Sequence, residues 1–349
     1  MPSLTPPHRP GQVPSLTPPH RPAQPTLIDP EIDVHLTPDY AARALREDAR
    51  DGLTAERKWL APKWFYDARG SELFEEITRL PEYYPTRAER EILAARSGEI
   101  AELTGARTLV ELGSGSSEKT RLILNGLRDH GTLTTFVPLD VSESALREAA
   151  AAITTDYPGL VVHGVVGDFT EHLDKLPGEA PRVVAFLGGT IGNLLPDERE
   201  EFYASVREVL EPGEWLLLGT DLVKDPATLV AAYDDSAGVT AEFNKNVLRV
   251  LNRQLGADFD VDAFSHVALW DPDNEWIEMH LRADRAMRVL IPEIGLEVEF
   301  AEGEELSTEI SAKFHRYGVE AELDKAGFTP GAWWTDSAAR FALSLWQAV

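Results

Sequence analysis

The sequence predicts an α/β protein: an open, mainly parallel sheet wound on both faces, closed by an antiparallel hairpin, with a second, smaller α+β unit. Three observations predict it. From residue 107 short apolar runs alternate with helical stretches, a glycine-rich turn follows the first run, and the chain ends on the strand-like FALSLWQAV. Nearly continuous apolar strands separated by helices imply a parallel sheet covered on both faces.

Composition narrows the function. The 349 residues give room for about two domains. A net charge of −26, from 33 Lys+Arg against 59 Asp+Glu, repels polyanions. Nucleic acid and anionic membrane surfaces are therefore excluded as partners. The absence of cysteine removes disulfides, thiolate zinc sites, iron–sulfur clusters and a Cys nucleophile. No apolar run reaches the ~18 residues a membrane helix needs. MPSLTPPHRP has no apolar core of a secretory signal. A cytoplasmic protein is expected.

Residues 1–26 read as a disordered, proline-rich tail in which PSLTPPHRP occurs at 2–10 and again at 14–22. It is either a ligand for a partner domain or a tolerated terminal duplication. Residues 37–54 read as an amphipathic helix capped by Thr37. An aromatic-dense stretch follows, and Thr86 with Glu89 reads as a capping box opening the next helix. The strand runs are 108–112, 133–140, 160–169, 182–189 and 214–223. A helix over 318–327 leads to the closing hairpin. Residues 224–313 break this rhythm and are expected to build the second unit together with 27–85. The main sheet is expected from 86–223 and 314–349.

The turn Glu111-Leu112-Gly113-Ser114-Gly115-Ser116 opens a helix expected near Glu118. A dinucleotide fingerprint would need glycine where Glu118 stands, and a carboxylate there would repel a pyrophosphate. No GK[ST] follows, so a P-loop is absent as well. E-x-G-x-G after a strand instead resembles the first motif of Rossmann-like class I S-adenosylmethionine-dependent methyltransferases. Their methyl donor is cationic and carries no phosphate, which suits a carboxylate-rich loop. Asp140, Asp168 and Gly188-Gly189 close the next three strands, on the edge where open α/β sheets bind ligands. A DPPY-type signature of base methylation is missing, since Asn193-Leu194-Leu195-Pro196 follows the fourth strand.

Longer segments carry a more specific resemblance. KWFYDARGSELFEEITRLPEYYPTRAEREIL (63–93), LVELGSGSSEKTRLIL (109–124), FLGGTIGNL (186–194), LLLGTDLVKD (216–225), AYDDSAGVTAEFNKNVL (232–248) and LSTEISAKF (306–314) resemble the L-histidine Nα-methyltransferase family of ergothioneine biosynthesis. The likeness runs from about residue 35 to the C-terminus. It implies trimethylation of the α-amino group of L-histidine to hercynine, with S-adenosylmethionine as donor, no metal, and a monomeric enzyme. The unit formed by 27–85 and 224–313 would then bind substrate, and that formed by 86–223 and 314–349 would bind the donor.

The resemblance also implies roles. Gly113, Lys119, Asp140, Asp168, Phe169 and Gly188 match the donor site, with Lys119 on the methionine carboxylate, Asp140 on the ribose and Asp168-Phe169 at the adenine. Tyr66 and Phe74 match aromatics lining the reaction cleft and belong with the donor-binding residues. Asn193 and Tyr233 match the holders of the substrate's carboxylate and amine region, and Tyr66 and Asn193 are the expected catalytic pair. Tyr83, Glu309 and Ser311 match the imidazole site, and Met279 a wall beside the ring. Taken singly, each has a plainer reading: core tyrosine, helix cap for Asn193, solvated lysine, surface ion pair for Glu309, core filler for Met279. A relative acting on a tryptophan derivative is the alternative enzyme, and a silent donor-binding module the alternative from another class. The nine histidines are scattered, without H-x-x-x-H spacing in the folded part, so no metal site is expected.

Overall fold

A computed structural model describes residues 28–37, 39–115 and 119–349. The proline-rich tail and Glu118 lie outside the described residues. The first six strands are β1 (Glu31–Val34), β2 (Thr108–Leu112), β3 (Thr135–Asp140), β4 (Val161–Val166), β5 (Arg182–Phe186) and β6 (Trp215–Asp221). A separate group follows: β7 (Phe264–Asp271), β8 (Trp276–Ala283), β9 (Met287–Ile291), β10 (Leu296–Phe300) and β11 (Glu305–Ala312). The chain closes with β12 (Phe328–Thr335) and β13 (Phe341–Ala348). Helices α1 (Tyr40–Thr54), α2 (Ala68–Ile77), α3 (Pro85–Thr104), α4 (Thr120–His130) and α5 (Glu143–Asp156) lie in the first half. Later come α6 (Pro196–Val209), α7 (Pro226–Tyr233), α8 (Val239–Leu255) and α9 (Arg316–Lys325).

The large sheet has the order β1-β4-β3-β2-β5-β6-β13-β12. Its first six strands in that order are parallel, and β13 pairs antiparallel with both β6 and β12. β2, β6 and almost all of β13 are buried along their length, as strands covered on both faces must be. The order reverses between β2 and β5, which opens a crevice at their C-terminal ends. Gly113 and Gly188 stand at those two ends. The second unit is a three-stranded antiparallel sheet, β11-β8-β7, and a β9-β10 hairpin, backed by α8. Among the described residues no helix is long and apolar enough to cross a membrane.

Three expectations change in detail. The segment 27–85 divides: β1 pairs in parallel with β4 in the large sheet, while α1 and α2 pack against the second unit. EIDV is a short, mostly exposed edge strand with only two apolar residues, held by backbone pairing and by His163 Nε2 beside Asp33 (2.8 Å). Thr37 caps nothing with its side chain, since α1 starts at Tyr40 after Asp39. The expected box at Thr86 and Glu89 is absent as well. Pro85 at the first helical position starts α3 earlier, after Tyr84, and Glu89 falls inside the helix with its carboxylate fully buried.

Helices α3 and α4 pack closely over one face of the sheet. Gly126 permits this, because a Cβ there would lie 2.5 Å from the backbone oxygen of Ser97. Alanine would gain about 1 kcal/mol of helix propensity, but forcing the helices apart costs about 1–3 kcal/mol. Gly126→Ala is therefore expected to lower stability in denaturant unfolding. A variant as stable as the unaltered protein would show that the two helices separate freely.

Candidate active site

The crevice begins at the glycine turn. Glu111, buried in β2, accepts from Thr120 Oγ1 at 2.5 and 2.6 Å, which fastens the first turn of α4 to the strand. Burial pushes the Glu111 carboxyl up to about 8, against the opposing hydroxyl bond and the Lys119 charge. Gly113 and Gly115 have φ of +68° and +48°, the left-handed region that side chains disfavour. A Cβ at either would meet no described atom within 4 Å, so backbone conformation, not crowding, requires glycine and leaves an open cradle. The Gly113 N–H donates to Leu139 O (2.9 Å). Asp140, at the end of β3, accepts from the N–H groups of Gly115 (3.1 Å) and Ser142 (2.9 Å). Burial raises its pKa, and these donors oppose the rise. Asp140 therefore ties the turn to the neighbouring strand.

Asp168 lies beyond β4, where its Oδ1 accepts from the backbone and hydroxyl of Thr170 (2.9 and 2.7 Å) and its Oδ2 from the Tyr40 hydroxyl (3.4 Å). Phe169 packs on Phe186 and Phe202, with ring centroids at 5.2 and 5.9 Å. Lys119 and Gly188 meet through a residue that sequence reasoning gave to a helix cap. Glu89 accepts from the Gly188 N–H (2.8 Å) and pairs with the Lys119 ammonium. Its buried carboxylate thus bridges the glycine turn and the end of β5. It needs glycine at 219 in β6, since a Cβ there would collide with Glu89 Oε1.

The other half of the crevice comes from the second unit. Glu309 and Ser311, two residues apart on β11, point to one face. Met279, fully buried, stands opposite Glu309 in the antiparallel register with β8. Asn193, on the short helical turn after β5, reaches across. Its Nδ2 donates to Glu309 Oε1 (2.9 Å) and Ile310 O (3.1 Å). The Ile310 carbonyl can only accept, which fixes the amide orientation. Tyr233, at the end of α7, lies 2.7 Å from Ser311 Oγ through its hydroxyl. The Lys313 ammonium donates to both, at 2.9 Å to Tyr233 and 2.7 Å to Ser311.

An aromatic wall connects the two halves. Tyr66 meets Phe74 at 5.6 Å, Phe74 meets Tyr83 at 6.2 Å, and Tyr83 meets Tyr233 at 6.3 Å. Phe243 of α8 completes it, 5.4 Å from Tyr66. Tyr66 packs among these rings yet keeps half of its surface accessible (50%). Burial, with Glu309 next in effect, raises its hydroxyl well above the ordinary tyrosine range. Tyr83 and Tyr233 are raised likewise, also chiefly by burial. All three remain neutral hydroxyls at physiological pH.

The predicted residues therefore gather in two groups. Asn193 with Glu309 and Ser311 with Tyr233 form two hydrogen-bonded pairs, with Tyr83 and Met279 beside them. Gly113, Asp140, Lys119 and Gly188 line the strand ends, and Asp168 and Phe169 stand further along the same edge. Glu89, Phe243 and Lys313 were missed. A buried Glu or Lys looks like a solvated residue in sequence, and Phe243 follows the spacing of an ordinary helix core.

Burial pushes Glu309 up to about 7, with Asn193 and Lys313 opposing. Between the ordinary carboxyl pKa of about 4.3 and 7, the unfolded chain releases this proton while the folded protein keeps it. Rising pH therefore costs folded stability in that window. Glu309→Gln keeps an acceptor for Asn193 and has no charge. It should melt higher than the unaltered protein above pH 7 and converge with it near the lower limit. A melting difference that does not change with pH would contradict the assignment.

The sequence profile of the family described as "Histidine-specific methyltransferase, SAM-dependent" matches residues 45–348. The Histidine N-alpha-methyltransferase of Mycolicibacterium smegmatis is 58% identical over 89% of this chain and 97% of that protein. Its counterpart in Mycobacterium tuberculosis is 56% identical over the same shares. The 4-dimethylallyltryptophan N-methyltransferase of Claviceps purpurea is 28% identical over 58% of this chain and 62% of that protein. With strand ends, glycine turn and a polar cleft in the same continuous stretch, the chain belongs to the S-adenosylmethionine-dependent, histidine-specific methyltransferase family.

Proposed function

We propose that this protein trimethylates the α-amino group of L-histidine to hercynine, the opening step of ergothioneine biosynthesis. The observation that carries the reading is the two hydrogen-bonded pairs, Asn193–Glu309 and Ser311–Tyr233, beside the methyltransferase strand ends. A neutral imidazole has one N–H donor and one bare acceptor nitrogen. Glu309 supplies an acceptor and the hydroxyl pair a donor, on one face of β11. Met279 and Tyr83 supply the apolar sides of a ring-shaped slot.

The donor end fits the cationic S-adenosylmethionine. Glu89, Glu111 and Asp140 place carboxylates around the open Gly113–Gly115 cradle, where a phosphate would be repelled. When bound, S-adenosylmethionine supplies an electrophilic methyl group for in-line displacement. Asp140 is the residue for the ribose hydroxyls, Lys119 for the carboxylate of the methionine moiety, and Asp168 with Phe169 for the adenine. Gly188 keeps the reacting region free of a side chain.

The chain's catalytic task is positioning. Displacement needs an amine lone pair held in line with the methyl carbon, and fixing that geometry supplies much of the rate. An ammonium has no lone pair, so the site must favour the neutral amine. Asn193, with both amide protons committed to Glu309 and Ile310, turns its oxygen outward as an uncharged acceptor. Tyr66, neutral and facing the cleft, is the second orienting group. Neither fixes a positive charge on the nitrogen.

Mass spectrometry of histidine incubated with S-adenosylmethionine and enzyme is the direct test, with trimethylated histidine expected. Glu309→Ala should lower kcat/KM for histidine by about 10²- to 10⁴-fold, because the site's polar groups lose the partner they were built for. Cofactor affinity should stay nearly unchanged. The same substitution removes volume and charge, so tryptophan should gain relative to histidine in competition. Unaltered histidine turnover by Glu309→Ala would refute the ring-recognition role.

A further inference from the structure

Lys313 follows β11 at the point where the chain returns to the large sheet, and its side chain is wholly buried. An ammonium has three protons and no acceptor. Its three partners are Asp221 Oδ2 (3.1 Å), Ser311 Oγ (2.7 Å) and Tyr233 Oη (2.9 Å). Two of the protons go to the hydroxyls, and Asp221 pairs with the charge. The two hydroxyl oxygens therefore both accept from Lys313, and, at 2.7 Å from each other, one must also donate to the other. Two hydroxyl protons enter the pair and one is used inside it. One is left to point outward.

We infer that Lys313 is a positioning residue, whose ammonium sets Ser311 and Tyr233 as a single hydrogen-bond donor toward the bound amino acid, opposite the acceptor Glu309. The inference rests on the histidine reading above and deepens it. The ligand atom that fits this end is an acceptor, a bare imidazole nitrogen or a carboxylate oxygen. The substrate's amino group, which carries a like charge when protonated, is kept away from it. Without the ammonium, either hydroxyl could turn its proton inward, and the pair would offer donor and acceptor faces indifferently.

The lysine can be removed without leaving a bare charge. Asp221 also accepts from the Tyr84 hydroxyl at 2.7 and 2.9 Å and from Lys224 at 2.6 Å. Lys313→Met keeps chain length and loses every donor. It is expected to lower kcat/KM for histidine by about tenfold or more, the loss of at least one charge-assisted hydrogen bond. Affinity for S-adenosylhomocysteine, read by calorimetry, should stay within about threefold. In a protein already carrying Ser311→Ala and Tyr233→Phe, Lys313→Met should add less than about threefold, because the groups it acts through are gone. A purely structural lysine would weaken both ligands and add its full loss in that background. Lys313→Gln, which retains two N–H donors, is expected between Met and the unaltered protein and serves as the second variant if Met folds poorly.

Histidine turnover by folded Lys313→Met or Lys313→Gln equal to that of the unaltered protein would overturn the inference, and so would fully additive losses. Should the unaltered protein itself fail to methylate histidine, the substrate reading falls and takes the inference with it. The two failures are distinguishable from the first control.

Discussion

The site depends on where the chain leaves the large sheet and where it comes back. It departs at Asp221, the last residue of β6, and returns at Phe314, just after β11. The two crossings are bonded to each other: the Phe314 N–H donates to Asp221 O (2.8 Å) and the Val223 N–H to Phe314 O (3.1 Å). Between them Asp221 gathers Lys313, Lys224 and the Tyr84 hydroxyl. Burial lowers Lys224 to about 8, against the pull of Asp221. Such a buried cluster contributes little net stability, since desolvation offsets most of the attraction. Its effect is geometric. It fixes β11 against the ends of β5 and β6, so that Glu309 arrives within hydrogen-bond reach of Asn193 from a different unit.

The donor end is built on a related constraint with opposite sign. Glu89 and Glu111 are buried carboxylates set under a glycine turn, and Asp140 binds the turn from the side. The charges of Glu89 and Asp140 both add to the cost that burial sets on ionising Glu111. A cation entering the crevice relieves that strain, whereas an anion adds to it. The preference for a sulfonium donor over a dinucleotide is therefore a property of the local field as well as of the motif.

The sheet was legible because its strands are apolar along their whole length, and the glycine turn and strand-end acids mark its ligand edge. The closing hairpin was legible from FALSLWQAV for the same reason. What escaped was set by helix phase and by long-range contacts. Moving the start of α3 to Pro85 turns Glu89 from a cap into a buried bridge to Gly188, and nothing in TRAERE distinguishes the two. β1 escaped because the alternation in EIDV is only four residues long and stands alone before the helical stretch. Lys313 escaped because two of its three partners, Asp221 of β6 and Tyr233 of α7, lie far from it in sequence. The second unit's site residues were legible only through the family resemblance, since Glu309 and Ser311 in isolation look like any strand's polar face.

One feature of Asn193 reaches beyond binding. Its amide protons are spent on Glu309 and Ile310, so in the role proposed for it only its oxygen is left to meet the substrate nitrogen, and an oxygen can hold that nitrogen only through an N–H. A neutral primary amine has two such hydrogens, the monomethyl amine one, and the dimethyl and trimethyl forms none. The grip that aligns the acceptor therefore weakens with each methyl added and vanishes before the last product forms. In the proposed reaction the aromatic wall of Tyr66, Phe74 and Phe243 must take over the later turns, and the finished quaternary ammonium leaves a site that has lost its hydrogen-bonded hold on it.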